Sequence, residues 1–106
     1  MSRGHGRLQQ RLLAELQAAS LHDEMRLRST FQLAATVFDG LEVDSDGYCL
    51  LSSAQLVSVR RALRRLQHEG LVCSAGRHLR FGRQDWGTPE AVAAYRQRVR
   101  DVFGRE

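Results

Sequence analysis

One segment, residues 52–72, constrains the fold of this chain more than any other. Its apolar side chains recur at the three- and four-residue spacing of a helix, at Leu56, Val59, Ala62, Leu63 and Leu66. Ser52 followed by Gln55 forms a capping-box pattern at the start, and Gly70 stands where a helix would end. We therefore expect a helix over 53–69 that packs one apolar stripe on a core and turns its other side to solvent.

The other side of this helix is basic, with two adjacent pairs at Arg60, Arg61, Arg64 and Arg65. No acidic residue lies between positions 54 and 68, so the Glu–Arg pairs that usually accompany arginine on a solvated helix are missing. Like charges four residues apart, as in Arg61 and Arg65, lower the stability of a helix unless a counter-charge is supplied. The pattern favours a polyanionic partner, and an ordinary solvated face is the alternative.

Charge is segregated along the whole chain, whose formal net charge is +4. All of its sixteen basic residues are arginine, which is typical of a GC-rich bacterial genome and makes their number alone weak evidence. Their distribution is more informative, because seven lie between Arg60 and Arg83 against a single acid, Glu69. The segment 29–59 has no basic residue and contains four acids, Asp39, Glu42, Asp44 and Asp46. Such segregation indicates one face for a polyanion.

Two further helices are predicted before the basic one. Residues 1–6 are expected to be a flexible start, and apolar spacing from Arg7 predicts a first helix to about Ala19. A second capping-box pattern, Ser29 with Gln32, predicts a helix that is stopped by Gly40.

The β-structure is predicted from short apolar runs. The alternation around Leu27 allows a brief strand. The runs LVC at 71–73 and RHLRF at 77–81 are separated by Ser-Ala-Gly at 74–76, which predicts a β-hairpin over 71–82.

A last helix is predicted to begin at Thr88-Pro89-Glu90, which combines a cap, a proline at the first position and an early acid. Its apolar face contains Val92, Val99 and Phe103, and Gly104 is expected to end it. This helix either packs on its own domain or pairs with its twin, and we expect a homodimer. The nearby aromatic residues Phe81 and Trp86 either stack on single strands or cover a small core, and we expect the second.

The order helix, helix, basic helix, hairpin, helix resembles the winged helix-turn-helix of bacterial transcription regulators. STFQLAATVF corresponds to the positioning helix, SSAQLVSVRRALRRLQHEGLV to the recognition helix with the first wing strand, and GRHLRFGR to the returning strand. The resemblance covers residues 7–83 and leaves 84–106 as a C-terminal helix for packing or dimerisation. The expected fold class is therefore mainly α with a small β-hairpin.

The resemblance implies a sequence-specific protein that binds double-stranded DNA and regulates transcription. Helix 53–69 would enter the major groove and hairpin 71–82 would act as a wing. Base edges would be read by Ser53, Val57, Ser58 and Arg61. Phosphates would be contacted by Arg60, Arg64, Arg65, Arg77 and Arg80, with His78 as a further polar group of the wing. The alternative is a winged-helix adaptor that binds a protein and no DNA.

Other chemistry has little support in the sequence. There is no nucleophile motif, phosphate-cradling glycine loop or zinc spacing among the histidines and cysteines, so we expect no enzyme, metal or cofactor. DSDGY at 44–48 has part of an EF-hand pattern without the glutamate that calcium requires, and predicts an exposed turn. No apolar run approaches the roughly 20 residues that cross a bilayer, and we expect a cytoplasmic protein with reduced cysteines.

Overall fold

Helices make up most of the structure, a computed structural model that describes residues 6–22, 27–77 and 84–103. Along the chain the elements are α1 (Arg7–His22), β1 (Arg28–Ser29), α2 (Thr30–Val37), α3 (Ser53–His68), β2 (Cys73–Arg77), β3 (Gln84–Gly87) and α4 (Pro89–Phe103). The strands form an antiparallel sheet in the order β1-β3-β2. The expected class, mainly α with a little β-structure, is confirmed. None of the helices in the described ranges is long and apolar enough to cross a membrane.

Both predicted capping boxes are present. Ser52 Oγ accepts from the Gln55 backbone N–H at 3.0 Å, and Gln55 Oε1 accepts from the Ser52 N–H at 2.8 Å. Ser29 and Gln32 make the same reciprocal pair at the start of α2. Each box supplies partners for groups at a helix terminus that the helix itself cannot bond.

Helix α3 ends at the predicted glycine. Gly70 has φ +79°, its N–H donates to the Gln67 carbonyl, and the Leu71 N–H donates back to the Leu66 carbonyl at 3.0 Å. These two bonds form a Schellman motif, which needs a residue that tolerates the left-handed conformation.

Helix α2 ends earlier than predicted. Phe38 is already extended, so the helix stops at Val37 and not at Gly40. The Arg11 guanidinium of α1 donates to the carbonyls of Val37 at 2.6 Å and Thr36 at 3.3 Å. A side chain from another helix therefore satisfies carbonyls at the end of α2.

The main core lies where α1, α2 and α3 meet the sheet. Its fully or almost fully buried side chains include Leu12, Leu16, Leu33, Val59, Leu63, Leu66, Val72 and Trp86. The predicted stripe of α3 faces this core, as expected. Trp86 is 1% exposed, which confirms it as a core residue; Phe81 lies outside the described residues.

The predicted hairpin has wrong boundaries and a wrong turn. Residues 74–76 belong to β2 and carry a bulge, in which Ser74 Oγ accepts from the Gly76 N–H at 3.1 Å. Gly76, at φ +97°, serves this bulge. The partner of β2 is β3, which begins at Gln84 instead of at residue 77. Residues 84–87, grouped by the sequence with the last helix, form the central strand.

Helix α4 packs on the sheet through a second, smaller cluster made of Leu27, Cys73, Ala75, Ala91 and Val92. Its predicted start is confirmed, because Thr88 Oγ1 accepts from the Ala91 N–H at 3.1 Å. Because Gly87 has no side chain, Leu27 can pack closely against this strand: a Cβ at Gly87 would lie 2.7 Å from Leu27 Cδ2.

Candidate nucleic-acid interface

Helix α3 packs against the rest of the protein through one side only. Val59, Leu63 and Leu66 are completely buried. The opposite side is exposed and contains the predicted contact residues Ser53, Val57, Ser58, Arg60, Arg61, Arg64 and Arg65. The tertiary structure thus brings these seven residues to one exposed surface, because burial of the apolar stripe decides which way the rest of the helix points.

Three of the four arginines on this surface have no counter-charge within residues 6–22, 27–77 and 84–103. Arg60, Arg61 and Arg64 make no ion pair with any residue in the described part of the chain. Their guanidinium groups are therefore available to an external anion.

Arg65 differs from the other three. Its Nε lies 3.8 Å from Glu69 Oε2, one helical turn further on. The argument from missing Glu–Arg pairs therefore does not extend to Arg65, because its acid lies just beyond the stretch without acids. An exposed pair of this kind is weak, but it offsets part of the charge that Arg65 would offer a phosphate.

The exposed surface of α3 has two parts, one that lies beside α1 and one that lies away from it. Helical spacing puts Val57, Arg61 and Arg64 opposite the buried stripe, at the middle of the exposed side. Ser58 and Arg65 instead line a shallow groove of about 370 Å³, whose other wall is the start of α1. That wall comprises Gly6, Leu8 and Gln9. Ser58, predicted to read a base, thus lies beside α1, and Arg61 borders both regions.

The segment before α3 is a short hairpin, here called the acidic hairpin (residues 42–50). The Asp44 N–H donates to the Tyr48 carbonyl at 2.9 Å, and the Leu50 N–H donates to the Glu42 carbonyl at 2.8 Å. At its tip, Asp44 Oδ1 accepts from the N–H groups of Asp46 and Tyr48 at 2.9 and 3.0 Å. The predicted exposed turn is confirmed. Within the described ranges, no three acids, histidines or cysteines are grouped so as to hold a metal ion.

The predicted wing contacts fall at the limit of what the structure describes. The backbone of Arg77 ends β2, but its side chain, together with His78 and Arg80, lies outside the described residues. Their assignment to a wing stays a prediction.

Two features of this region were missed by reasoning from sequence. One is the guanidinium of Arg11, which lies at the end of α2 and 3.8 Å from Asp39. The other is the set of large apolar side chains exposed on the acidic hairpin, at Val43, Tyr48 and Leu50. The apolar residues could have been found from the sequence, because they lie on the two short extended segments that flank the predicted turn.

The surface on α3 therefore combines three arginines that have no acidic partner among the described residues, a central apolar side chain at Val57, and hydroxyl groups in its N-terminal half. A cationic, elongated helix face of this kind can contact phosphates and the edges of bases. Comparison of the chain with protein-family models, with curated proteins and with solved structures gives no match.

Proposed function

We propose that this protein is a winged helix-turn-helix regulator of transcription that binds double-stranded DNA at specific sequences. One observation carries the proposal: Arg60, Arg61 and Arg64 lie exposed on one helix without an acidic partner among the described residues. Concentrated, unpaired positive charge on a rigid helix matches the regular phosphate array of a duplex.

The order of elements supports the winged-helix assignment. A helix and a short strand precede two packed helices, and an antiparallel strand pair follows α3 directly. In a winged helix-turn-helix, α2 would support α3, and the connection between β2 and β3 would be the wing.

Charge limits how the duplex is approached. The acidic hairpin directly precedes α3, and its four nearby acids, Asp39, Glu42, Asp44 and Asp46, would be repelled by phosphates. We therefore propose that the duplex contacts α3 mainly at residues 57–64 and lies away from Ser53. Arg61 is the candidate for a forked hydrogen bond to guanine, and Val57 for contact with a thymine methyl group.

The test is a salt titration of binding to duplex DNA, first with a random pool and then with the fragments selected from it. If roughly four to six phosphates are neutralised per subunit, the logarithm of the binding constant should fall steeply with the logarithm of salt, by about 0.9 per phosphate. The double variant Arg61→Gln with Arg64→Gln should lose most of the affinity. On a duplex with a single site, where contacts between copies cannot contribute, Arg96→Gln with Arg100→Gln on α4 removes the same charge from another surface and should retain the affinity.

A protein adaptor without DNA binding is the alternative function. It predicts that no duplex is retained even at low salt. Equal weakening by the α3 and α4 double variants would also contradict the proposal, because binding would then depend on net charge alone.

A further inference from the structure

Helix α4 is buried only near its start. Its 15 residues span about 22 Å. Ala91 and Val92 are buried, but the same helical stripe continues through Tyr95, Val99 and Val102. Tyr95 is 40% exposed and Val102 is 68% exposed. We call these three residues the α4 strip.

The edges of the α4 strip are positive. Helical spacing places Arg98 along one edge and Arg96 along the other, and both are exposed. Arg96 donates to the Ser74 carbonyl at 3.3 Å, whereas Arg98 makes no ion pair with a described residue. The strip is thus a partly exposed apolar surface with cationic borders, in which Val99 is half-buried and Tyr95 and Val102 are exposed.

The acidic hairpin has the opposite character. Glu42 lies across from Leu50, and Asp44 lies across from Tyr48. Because side chains alternate along extended segments, these four residues share one face of the hairpin. Tyr48 is 67% exposed and Leu50 is 50% exposed. This face is an uncovered apolar surface with an anionic border.

The two surfaces complement each other in polarity and in charge. Contact between them would remove apolar area from water and bring Glu42 and Asp44 near Arg98. Pairing of two α4 strips would instead bring arginine edges together, which is unfavourable. We infer that the acidic hairpin of one copy of this chain docks on the α4 strip of a second copy.

Such a contact joins different surfaces of the two partners. In a pair joined by one such contact, one copy keeps an unused strip and the other an unused hairpin, so assembly can continue beyond two copies unless the geometry closes a ring. If the proposed function also holds, copies bound at neighbouring sites would bind cooperatively. The contact itself does not require DNA, so this inference and the proposed function can fail separately.

The experiment measures self-association of the full chain without DNA, by sedimentation velocity up to about 200 μM at low and high salt, a range suited to weak contacts. The wild-type mass should rise above 12.0 kDa with concentration, and less so at high salt. Glu42→Arg alone and Arg98→Glu alone should each remove this rise. Arg100→Glu makes the same charge change away from the strip and should preserve it.

The decisive measurement uses a mixture of the Glu42→Arg and Arg98→Glu variants. Each hairpin in the mixture then meets an oppositely charged strip on the other variant, so association should return to near the wild-type level. Val102→Ser should weaken association in every background, with circular dichroism showing that the exposed substitution leaves the fold intact. The inference is overturned if the wild type stays at 12.0 kDa throughout. It is also overturned if Glu42→Arg associates as the wild type does, which would indicate pairing of α4 with its twin.

Discussion

The indole Nε1–H of Trp86 donates a hydrogen bond of 2.9 Å to the Oγ1 of Thr30, and the two residues are 56 positions apart in the chain. Both side chains are buried. Trp86 belongs to the central strand β3, and Thr30 is the first residue of α2. This bond therefore joins the sheet to the helix that packs against α3, and helps to set the orientation of the proposed DNA-binding surface.

Replacement of Thr30 by valine should destabilise the fold. Thr30→Val keeps the shape but leaves the Trp86 N–H buried without an acceptor, at a cost of about 1–3 kcal/mol in the free energy of unfolding. Urea denaturation followed by the fluorescence of this single tryptophan measures the loss. The double variant Thr30→Val with Trp86→Phe, followed by circular dichroism, should cost less than the sum of the single changes. Additive costs would contradict the prediction.

Gly87 should not tolerate a methyl group. In Gly87→Ala the new Cβ would lie 2.7 Å from Leu27 Cδ2 and 3.3 Å from Val92 Cγ2, so α4 or Leu27 must move. We expect a loss of about 1–3 kcal/mol from overpacking, measured by urea denaturation. In a Leu27→Ala background the same substitution should cost clearly less, because the nearest atom is absent. An equal cost in both backgrounds would show that the contact with Leu27 is not the cause.

Arg61→Ala should reduce specificity. On the preferred duplex we expect a loss of about 1–3 kcal/mol in binding free energy, together with weaker discrimination at one base position. Binding to a scrambled duplex should change much less. Fluorescence anisotropy on both duplexes, and on single-base variants of the preferred one, checks this. A uniform loss on all duplexes would assign Arg61 to a phosphate instead.

Arg64 and Arg65 should differ although they are adjacent. Arg64→Gln should weaken binding to every duplex alike and make the log–log salt dependence shallower by about one unit. Arg65→Gln should have a smaller effect, because Glu69 lies 3.8 Å from its guanidinium in the free protein. Glu69→Gln should strengthen binding in the wild type and less so in the Arg65→Gln variant. Equal salt slopes for the two arginine variants would refute this difference.

The tip of the acidic hairpin should depend on one carboxylate oxygen. Asp44→Ala removes the acceptor of two backbone N–H groups and should cost about 0.5–1.5 kcal/mol, measured by thermal denaturation. Asp44→Asn keeps an acceptor oxygen, and its stability should be close to that of the wild type.

Millimolar calcium should leave the melting temperature of the wild type unchanged, since the glutamate of a calcium loop is absent. A rise with calcium would contradict this assignment.

Much of the candidate site could be predicted from the sequence because it depends on local periodicity. The spacing from Leu56 to Leu66 determines which side of α3 is buried, and so which arginines are exposed. What could not be predicted was how neighbours divide that exposed side. The groove beside α1, which Ser58 and Arg65 line, depends on the packing of two helices far apart in sequence.

By itself the sequence determined the helix starts and the segregation of charge. Ser29, Ser52 and Thr88 act within one turn of their own helices, so their roles need no information from the rest of the chain. Only the tertiary structure decided the strand pairing and the end of α2. The sequence around Gly76 fits a turn or a bulge equally well. Cys73 pairs with Gly87, and this register is decided by the packing of Trp86 on one face of the sheet and of α4 on the other. Likewise α2 ends where the Arg11 guanidinium donates to its last carbonyls. The sequence could not predict this end, because a long-range hydrogen bond has no local sequence signature.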